Sequence, residues 1–378
     1  MKSRYIIVKI IDYAKVISWS IAVFFYYFQV PFMEQAWMIT TGLAFFLLFN
    51  FNNIFNFINE RKELVFAYLC LFIFCLLNAA YSNYMGAEIT NIIRFFLIVV
   101  LIPILPIVER SNNVNLYTIF TFFSFCKAIM IIVIAYIVVS TGSYAEMRTW
   151  AQLNHYGDVY ILYDNIPRVQ LKGNALLVLA FMISFVKTNK ITLYSFVLLI
   201  SILLAGNFAF ILALTIFFLW QYFIHISLNK ITVKKIFFTL IVFLYIIGFT
   251  GYTLAESENK SGSPNSSNAH RIEQIEILSD TNYFIGNGLG SIVKEAAAMG
   301  VPIDSQYYEV QTMYIFFQVG LIILCLFYII LFVMAKNHYN YYGNIILFIY
   351  LIYSFFNPYC FDSTQMIAMI LIAIKFSI

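Results

Sequence analysis

Charged residues are scarce in this sequence. Lys, Arg, Asp and Glu together make up 11% of the 378 residues, against about 25% in a soluble globular domain. Hydrophobic residues make up 62%, which excludes a soluble enzyme, a disordered chain and a fibrous protein. An outer-membrane β-barrel is excluded as well, because its strands alternate apolar and polar residues. The composition therefore predicts an all-α, polytopic integral membrane protein.

The patterns that mark disulfides, metal sites and nucleic-acid binding are also missing. Four of the five cysteines lie inside apolar runs and none forms a CxxC pair, so neither a disulfide framework nor a metal site is indicated. No DxD motif occurs, and no cofactor is implied. The net charge of +4 gives no reason to expect nucleic acid as a partner. The first apolar run lacks a cleavage-site pattern, so we expect no cleavable signal peptide.

Apolar runs separated by polar breaks predict about 12 transmembrane helices within one transmembrane domain, residues 1–378. The stretch 191–227 is too long for one span, and Gly206-Asn207 is the natural turn between two. The predicted spans are 11–30, 36–58, 64–82, 89–108, 115–140, 173–188, 191–206, 208–227, 235–254, 307–335, 343–357 and 364–377.

The positions of Lys and Arg orient these spans. With the N-terminus inside, fourteen of the 22 cations fall in cytoplasmic segments, two lie within spans, and the short outside loops hold none. The other six lie in two long loops, 141–172 and 255–306, both on the outer face. Both termini are then cytoplasmic.

The first long loop is rich in aromatic residues that stand among hydrogen-bonding side chains. Such a mixture suits sugar rings, which have apolar faces and hydroxyl rims, but aromatic residues near the end of a span are also ordinary interface anchors. Both interpretations stay open. The residues concerned are Tyr144, Arg148, Trp150, His155, Tyr156, Asp158, Tyr160, Tyr163, Asp164 and Arg168.

The second long loop contains a predicted short amphipathic helix, HRIEQIEIL (270–278), with Ile272, Ile275 and Leu278 on one face. GNGLG (286–290) follows. Its glycines allow a sharp turn with exposed N–H donors, or a tight turn packed under the next helix. A nucleotide-binding loop is excluded, because no strand–loop–helix context surrounds it and no GK[ST] follows.

Four features in residues 165–335 resemble the O-antigen polymerase and O-antigen ligase superfamily (Wzy and WaaL types). They are Arg168 before Gly173-Asn174-Ala175, Arg271 on the amphipathic helix, GNGLG, and the span entry EVQTMYIFFQVGLI (309–322). The sequence departs from the ligase pattern at two places. Glu309 stands where ligases often have His, and Gly206-Asn207 stands where they tend to have Ser-Arg. Both departures favour the polymerase.

The resemblance implies a glycosyltransferase in the bacterial inner membrane, with its long loops in the periplasm. Such an enzyme joins undecaprenyl diphosphate-linked repeat units into a surface polysaccharide such as O antigen, in contact with membrane lipid. A chain-length regulator protein is a further partner that the residues neither indicate nor exclude. The alternatives are a ligase that attaches glycan to lipid A core, and a lipid-linked glycan flippase or transporter. Transporters commonly carry internal repeats, and none is found between the halves of this chain.

The predicted roles follow from the chemistry of the transfer. A diphosphate leaving group needs planar bidentate donors, so Arg168 and Arg271 are the leading clamps. An acceptor hydroxyl needs a general base, and Glu309 is the leading candidate. The other predicted site residues are the substrate-binding candidates Arg148, Lys172, Trp150 and Gly288, the alternative bases His270 and His155, and the intramembrane Arg94.

Lys127 is the second cation within a predicted span. A charge at membrane depth costs several kcal/mol unless it is paired or wet. Arg94 and Lys127 therefore need a partner or a function, and Arg94 lies near enough to the outer end of its span to approach a lipid diphosphate.

Overall fold

The computed structural model describes residues 2–30, 35–51, 56, 61–108, 116–162, 166–228, 267–279, 281–293, 310–355 and 357–377. The helices in these ranges are α1 (Lys2–Tyr27), α2 (Gln35–Phe49), α3 (Lys62–Tyr84), α4 (Ile89–Leu101), α5 (Leu116–Thr141), α6 (Tyr144–Leu153), α7 (Ala175–Thr188), α8 (Leu193–Ala205), α9 (Phe208–Leu228), α10 (Ser267–Ser279), α11 (Gln311–His338), α12 (Tyr341–Phe355) and α13 (Ser363–Phe376). A 3-10 helix, Ile102–Ile107, continues α4.

Eleven of the twelve predicted spans coincide with these helices, and the twelfth, 235–254, lies outside the described residues. Five described helical segments are long and apolar enough to cross a membrane: Lys9–Tyr27, Lys62–Tyr84, Ile89–Ile107, Leu116–Thr141 and Gln311–His338. Six more apolar helices are shorter, at 10–17 residues. The chain is thus a mostly helical membrane protein, and twelve spans remain a prediction.

The short helices α7 and α13 form the centre of the bundle. Every residue from Ala175 to Ser184 is buried, as is nearly all of α13 from Thr364 to Phe376. A helix that is apolar on all sides is a core helix or a membrane span, and the burial of these two shows that other helices surround them. The helices α5, α8, α9 and α12 pack around α7, and α2, α5, α12 and the 3-10 helix pack against α13.

The turn predicted at Gly206-Asn207 is confirmed. The helix α8 begins with a capping box between Thr192 and Ser195 and ends at Gly206, which adopts the left-handed conformation with φ 59°. The Asn207 Oδ1 atom then accepts the N–H of Ala209 at 2.9 Å and caps α9. Two caps meeting at adjacent residues explain why the apolar stretch does not continue as one helix.

The segment before α7 forms a β-hairpin that the all-α prediction missed. Strands β1 (Gly157–Leu162) and β2 (Ile166–Leu171) pair antiparallel, with Tyr160 opposite Arg168. Val159 and Val169 face each other and are buried. Six residues of alternating pattern per strand give a weak signal beside so many apolar runs, so the prediction of fold class was incomplete at this point.

The longest helix, α11, is broken at Gly320, where φ is 68° and ψ is −178°. Such a break leaves backbone groups without partners in their own helix. Within a membrane, irregular backbone is tolerated only where protein or water supplies the missing hydrogen bonds.

The segment 281–290 fills this break. The N–H groups of Asn287 and Gly288 donate to the carbonyls of Phe317 and Gln318, at 2.8 and 2.9 Å. In the other direction, the Leu321 N–H donates to the Tyr283 carbonyl at 2.8 Å. The GNGLG sequence therefore forms a tight turn under α11, the second of the two possibilities that the sequence left open.

Two polar side chains of α3 hold the same turn from the opposite side. The Asn78 side-chain amide donates to the Ile285 carbonyl and accepts the Leu289 N–H, both at 2.8 Å. The Ser82 hydroxyl donates to the Leu289 carbonyl at 2.5 Å. The turn thereby joins α3 to both halves of α11.

Gly288→Ala tests whether this turn has room for a side chain. Gly288 has φ +102°, and an added Cβ would lie 2.7 Å from the Ser82 Cβ. Gly86 is a matched control, because it has φ +87° with nothing within 4 Å of an added Cβ. We expect about 1–2 kcal/mol of destabilisation for Gly86→Ala from backbone strain alone, and about 1–3 kcal/mol more for Gly288→Ala from overpacking. Equal losses in thermal unfolding of the detergent-solubilised chain would contradict this packing.

Candidate functional site

The hairpin, the turn between α8 and α9, and the turn between α12 and α13 meet at one end of the bundle, which we call the hairpin end. The Tyr156 hydroxyl donates to the Gln29 carbonyl at 2.5 Å, which ties the hairpin to the end of α1. The Asn207 side-chain amide donates to the Asn357 Oδ1 atom at 3.2 Å, which ties the two turns together. The first predicted outside loop, 141–172, therefore lies with two of the predicted outside turns.

Arg168, a predicted clamp, projects from β2 at the hairpin end. Its guanidinium carbon lies 5.1 Å from the centre of the Tyr160 ring on the opposite strand. With the Gln170 amide oriented to accept, its oxygen lies 2.8 Å from Arg168 Nη2 and 3.3 Å from Nε. An aromatic face and an amide oxygen thus orient the guanidinium, which keeps its full positive charge.

The stem of Arg168 lies over the α8–α9 turn. A Cβ added at Gly206 would be 2.8 Å from Arg168 Cγ and 2.9 Å from Nε. Residue 206 must therefore be glycine for two reasons, its left-handed backbone and the arginine stem above it. The guanidinium is thereby held beside the turn that lacks a cation of its own.

The remaining predicted residues of the first loop have local partners or exposed positions. Arg148 forms an exposed ion pair with Asp158, with Nε and Nη2 at 3.0 and 3.2 Å from the two carboxylate oxygens. Trp150 stacks on Tyr156 with ring centres 5.0 Å apart, yet remains 48% exposed. His155 is exposed with a φ of 57°.

Lys172 lies between β2 and α7 and is exposed by surface area, although protein surrounds its ammonium group in part. Burial lowers the pKa of its ammonium group below the ordinary value. A less strongly hydrated cation beside the entry to a central helix suits an anionic ligand, although Lys172 offers a point charge where Arg168 offers a planar fork.

Asp362, which was not among the predicted site residues, is the N-cap of the central helix α13. Its Oδ1 atom accepts the Gln365 N–H at 3.0 Å, and its Oδ2 atom accepts the Thr364 hydroxyl at 2.7 Å. Thr364 in turn neighbours the hydroxyl of Tyr26 at the end of α1. A helix N-terminus favours a carboxylate, so this cap fixes an acidic group at the hairpin end.

Burial raises the pKa of the Asp362 carboxyl to about 6, although its hydrogen bonds and the charge of Arg94 act in the opposite direction. The residue nevertheless keeps accessible surface. Burial also raises the pKa of the neighbouring Cys360 thiol, to about 12, so that this cysteine stays protonated. Asp362 is therefore a largely enclosed residue with some exposed surface, and burial moves the pKa of its carboxyl toward neutral pH.

Gln365 lies beside this carboxyl and is fully buried. Its Oε1 atom accepts the N–H of Phe361 at 2.6 Å, where the backbone has φ 55°. Its Nε2 atom has no hydrogen-bond partner among the described residues. We call Tyr26, Arg94, Asp362, Thr364 and Gln365 the carboxylate cluster.

The two cations predicted within spans have different environments. Arg94 is exposed on α4, and its guanidinium carbon lies 5.5 Å from the centre of the Phe95 ring. Lys127 is buried in α5, and its ammonium group donates to the Tyr27 carbonyl at 3.0 Å. Lys127 thus has a structural role at the end of α1, whereas Arg94 is accessible and close enough to Asp362 for its charge to be felt there.

The predicted residues of the second half are less fully described. The N–H of Gly288 is bonded to Gln318, so this group is taken within the fold. Arg271 and His270 lie on α10, but their side chains are outside the described residues, as is the whole of Glu309. The roles of these three residues stay predictions.

A sequence signal for Asp362 was available. The residues Asp362-Ser363-Thr364-Gln365 match the capping-box pattern, in which an acceptor at the N-cap is followed three residues later by Glu or Gln. That pattern locates the start of α13 but does not indicate that the carboxyl is enclosed. Enclosure depends on neighbours such as Tyr26 of α1, which is distant in sequence, and Tyr350 of α12.

Comparisons with protein-family models, curated proteins and solved structures give no significant match to this chain.

The pKa of Asp362 predicts a pH-dependent stability. A folded-state pKa of about 6, above the ordinary 3.8, means that the folded chain binds this proton more tightly than the unfolded chain does. The resulting stability is complete below about pH 4, is lost as the pH rises through about 6, and amounts to about 3 kcal/mol. Asp362→Asn keeps the helix cap but removes the titration. We expect the difference in free energy of unfolding between the two chains to change by about this amount between pH 4 and pH 7, and a constant difference would contradict the enclosed carboxyl.

Proposed function

We propose that the protein is a polysaccharide polymerase that joins lipid diphosphate-linked oligosaccharide repeat units at the hairpin end of its helical bundle. One observation carries the proposal: Asp362, a capped and only partly exposed acidic residue, lies close enough to the exposed Arg94 to feel its charge. A transfer from a sugar diphosphate needs a group that accepts a proton and a cation that receives the leaving diphosphate. This pair offers both within a bundle that is otherwise apolar.

Arg168 supplies a second cation at the same end. Ligases of the superfamily that the sequence resembles tend to have an arginine after serine at the turn that is Gly206-Asn207 here. The Arg168 stem lies over Gly206, so the hairpin brings a guanidinium to that turn. The position of this guanidinium supports the clamp that was predicted for Arg168.

The aromatic residues of the hairpin end support a sugar substrate. Trp150 has one face on Tyr156 and is 48% exposed overall. An aromatic ring that is anchored on one side can offer its free side to the apolar face of a sugar ring. The other tyrosines of this region, at 26, 350, 353 and 359, are buried or half-buried at the same end.

A transporter is the alternative that a specific observation favours. Transporters commonly use broken helices, whose free backbone groups bind substrate or ions, and α11 is broken at Gly320. Here, however, the carbonyls of Phe317 and Gln318 and the N–H of Leu321 are bonded to the segment 281–290. The break is filled by protein, so the polymerase is the better supported function.

A deletion strain tests the polymerase against the ligase. Loss of a polymerase leaves the lipopolysaccharide cores capped with a single repeat unit, because attachment continues without chain growth. Loss of a ligase leaves cores with no repeats and lipid-linked long chains. We expect single-repeat cores on a gel of extracted glycans, and an unchanged ladder would contradict both functions.

Arg168→Ala tests the clamp. Loss of a donor to developing negative charge typically costs about 100-fold or more in rate, so we expect long chains to disappear while the protein level and membrane insertion persist. Arg168→Lys keeps the charge and the stem but lacks the planar fork, and should give an intermediate result.

Arg61 is the matched control for this experiment. It is an exposed arginine at the start of α3. Ser82, which contacts the GNGLG turn, lies at the other end of the same helix. We expect Arg61→Ala to leave the chain-length distribution unchanged. Wild-type ladders from Arg168→Ala would remove Arg168 from the site.

A further inference from the structure

Three of the described carboxylates can be compared by their partners. Asp158 forms an exposed ion pair with Arg148, and Glu88 is exposed and accepts the Asn91 amide at 3.2 Å. Asp362 instead lies inside the carboxylate cluster, bonded to a backbone N–H and a hydroxyl. Neither bond neutralises its charge, and each leaves an oxygen with further accepting capacity.

We infer that Asp362 is the general base of the transfer, taking the proton from the acceptor sugar hydroxyl. This inference rests on the proposed function and names a residue that the sequence did not predict for the site. Glu309 was predicted for this role, and the pH dependence of kcat in variants of the two residues distinguishes them.

The step balances as follows. The acceptor hydroxyl oxygen attacks the anomeric carbon of the donor sugar and forms the new glycosidic bond. The bond between that carbon and the diphosphate oxygen breaks, and the diphosphate leaves with the electron pair. The hydroxyl proton passes to the Asp362 carboxylate, and Arg94 and Arg168 receive the negative charge on the leaving group.

The cap geometry suits a base because it fixes the carboxyl before substrate arrives. Oδ1 is held by the Gln365 N–H at 3.0 Å and Oδ2 by the Thr364 hydroxyl at 2.7 Å. The buried Gln365 Nε2 has no partner among the described residues, so one hydrogen-bond donor of the capping residues is left unmet. A positioned acceptor within hydrogen-bond reach is the first requirement for a general base.

The groups that face Asp362 come from several elements, and they explain how it stays ionised at neutral pH. Burial is the largest influence and raises its pKa to about 6, while Thr364, the backbone N–H groups and Arg94 lower it. A base works best when its pKa lies near the operating pH. The ionisable neighbours are Tyr26 of α1, Arg94 of α4, Tyr350 of α12, and Tyr359 and Cys360 of the α12–α13 turn.

The test uses the full chain in lipid nanodiscs, with lipid-linked repeat units extracted from the deletion strain as the substrate. For the wild type we expect kcat to fall as the pH drops below about 6, because the carboxylate becomes protonated. Asp362→Asn keeps the helix cap. It should lower kcat by about 100-fold or more with little change in KM, and its residual activity should lack the acidic decline.

Thr364→Val is a second variant, and it separates catalysis from folding. It removes the hydroxyl that lowers the pKa of Asp362 but leaves the carboxyl in place. We expect its acidic decline to move to higher pH, by roughly half a unit or more for the loss of one hydrogen bond. If Asp362 had only a structural role, Thr364→Val would not shift the pH dependence of kcat.

Glu309→Gln discriminates between the two candidate bases. We expect this variant to keep the acidic decline of the wild type. An acidic decline that persists in Asp362→Asn, or that is lost in Glu309→Gln, would overturn the assignment of Asp362 while leaving the polymerase intact. Absence of chain formation by the wild type would overturn the proposed function itself, and the assignment with it.

Discussion

Inside a membrane, every backbone polar group must find its partner within the protein, and in this chain that constraint falls most heavily on α11. Its break at Gly320 would expose carbonyls and N–H groups to lipid if the segment 281–290 were not inserted there. The inserted turn is held in place by Asn78 and Ser82 of α3. One set of hydrogen bonds thus joins α3 to both halves of α11 and fixes the start of α11, where the Tyr314 ring packs edge-on against Phe95 of α4 at 5.6 Å.

That packing bears directly on the carboxylate cluster. Arg94 precedes Phe95 on α4, so the helix that α11 holds in place is the one that carries the arginine toward Asp362. The carboxyl itself is fixed by an unrelated device, the N-cap of α13. Two independent constraints, a filled helix break and a helix cap, therefore fix the two helices that carry these opposite charges.

The helices could be predicted because apolar runs of sufficient length allow few alternatives. The break at Gly206-Asn207 could be predicted because its residues specify helix caps. The hairpin could not, since six alternating residues on each strand resemble an ordinary polar loop. For the GNGLG turn, the sequence correctly indicated tight backbone geometry. It did not indicate that the turn fills the break in α11, because Gln318 and Asn78 are remote from it in sequence. The site was predicted in part. Arg168 and Arg94 stood out as cations in an apolar chain, whereas Asp362 resembled any polar residue at a helix start.

Comparison of two acid–base pairs shows why counting nearby charges is not enough to explain the proton affinity of a carboxyl. Arg148 and Asp158 are in direct contact, 3.0 Å apart, but their side chains are 53% and 30% exposed, and such a pair contributes at most about 1 kcal/mol. Arg94 is exposed and acts on Asp362 through its charge, whereas burial dominates the pKa of the carboxyl. Proton affinity near neutral pH therefore arises at Asp362, because burial there outweighs the combined effect of its hydrogen bonds and the nearby arginine. In a chain with so few charges, the helices that surround a charged group determine its chemistry more than its nearest partner does.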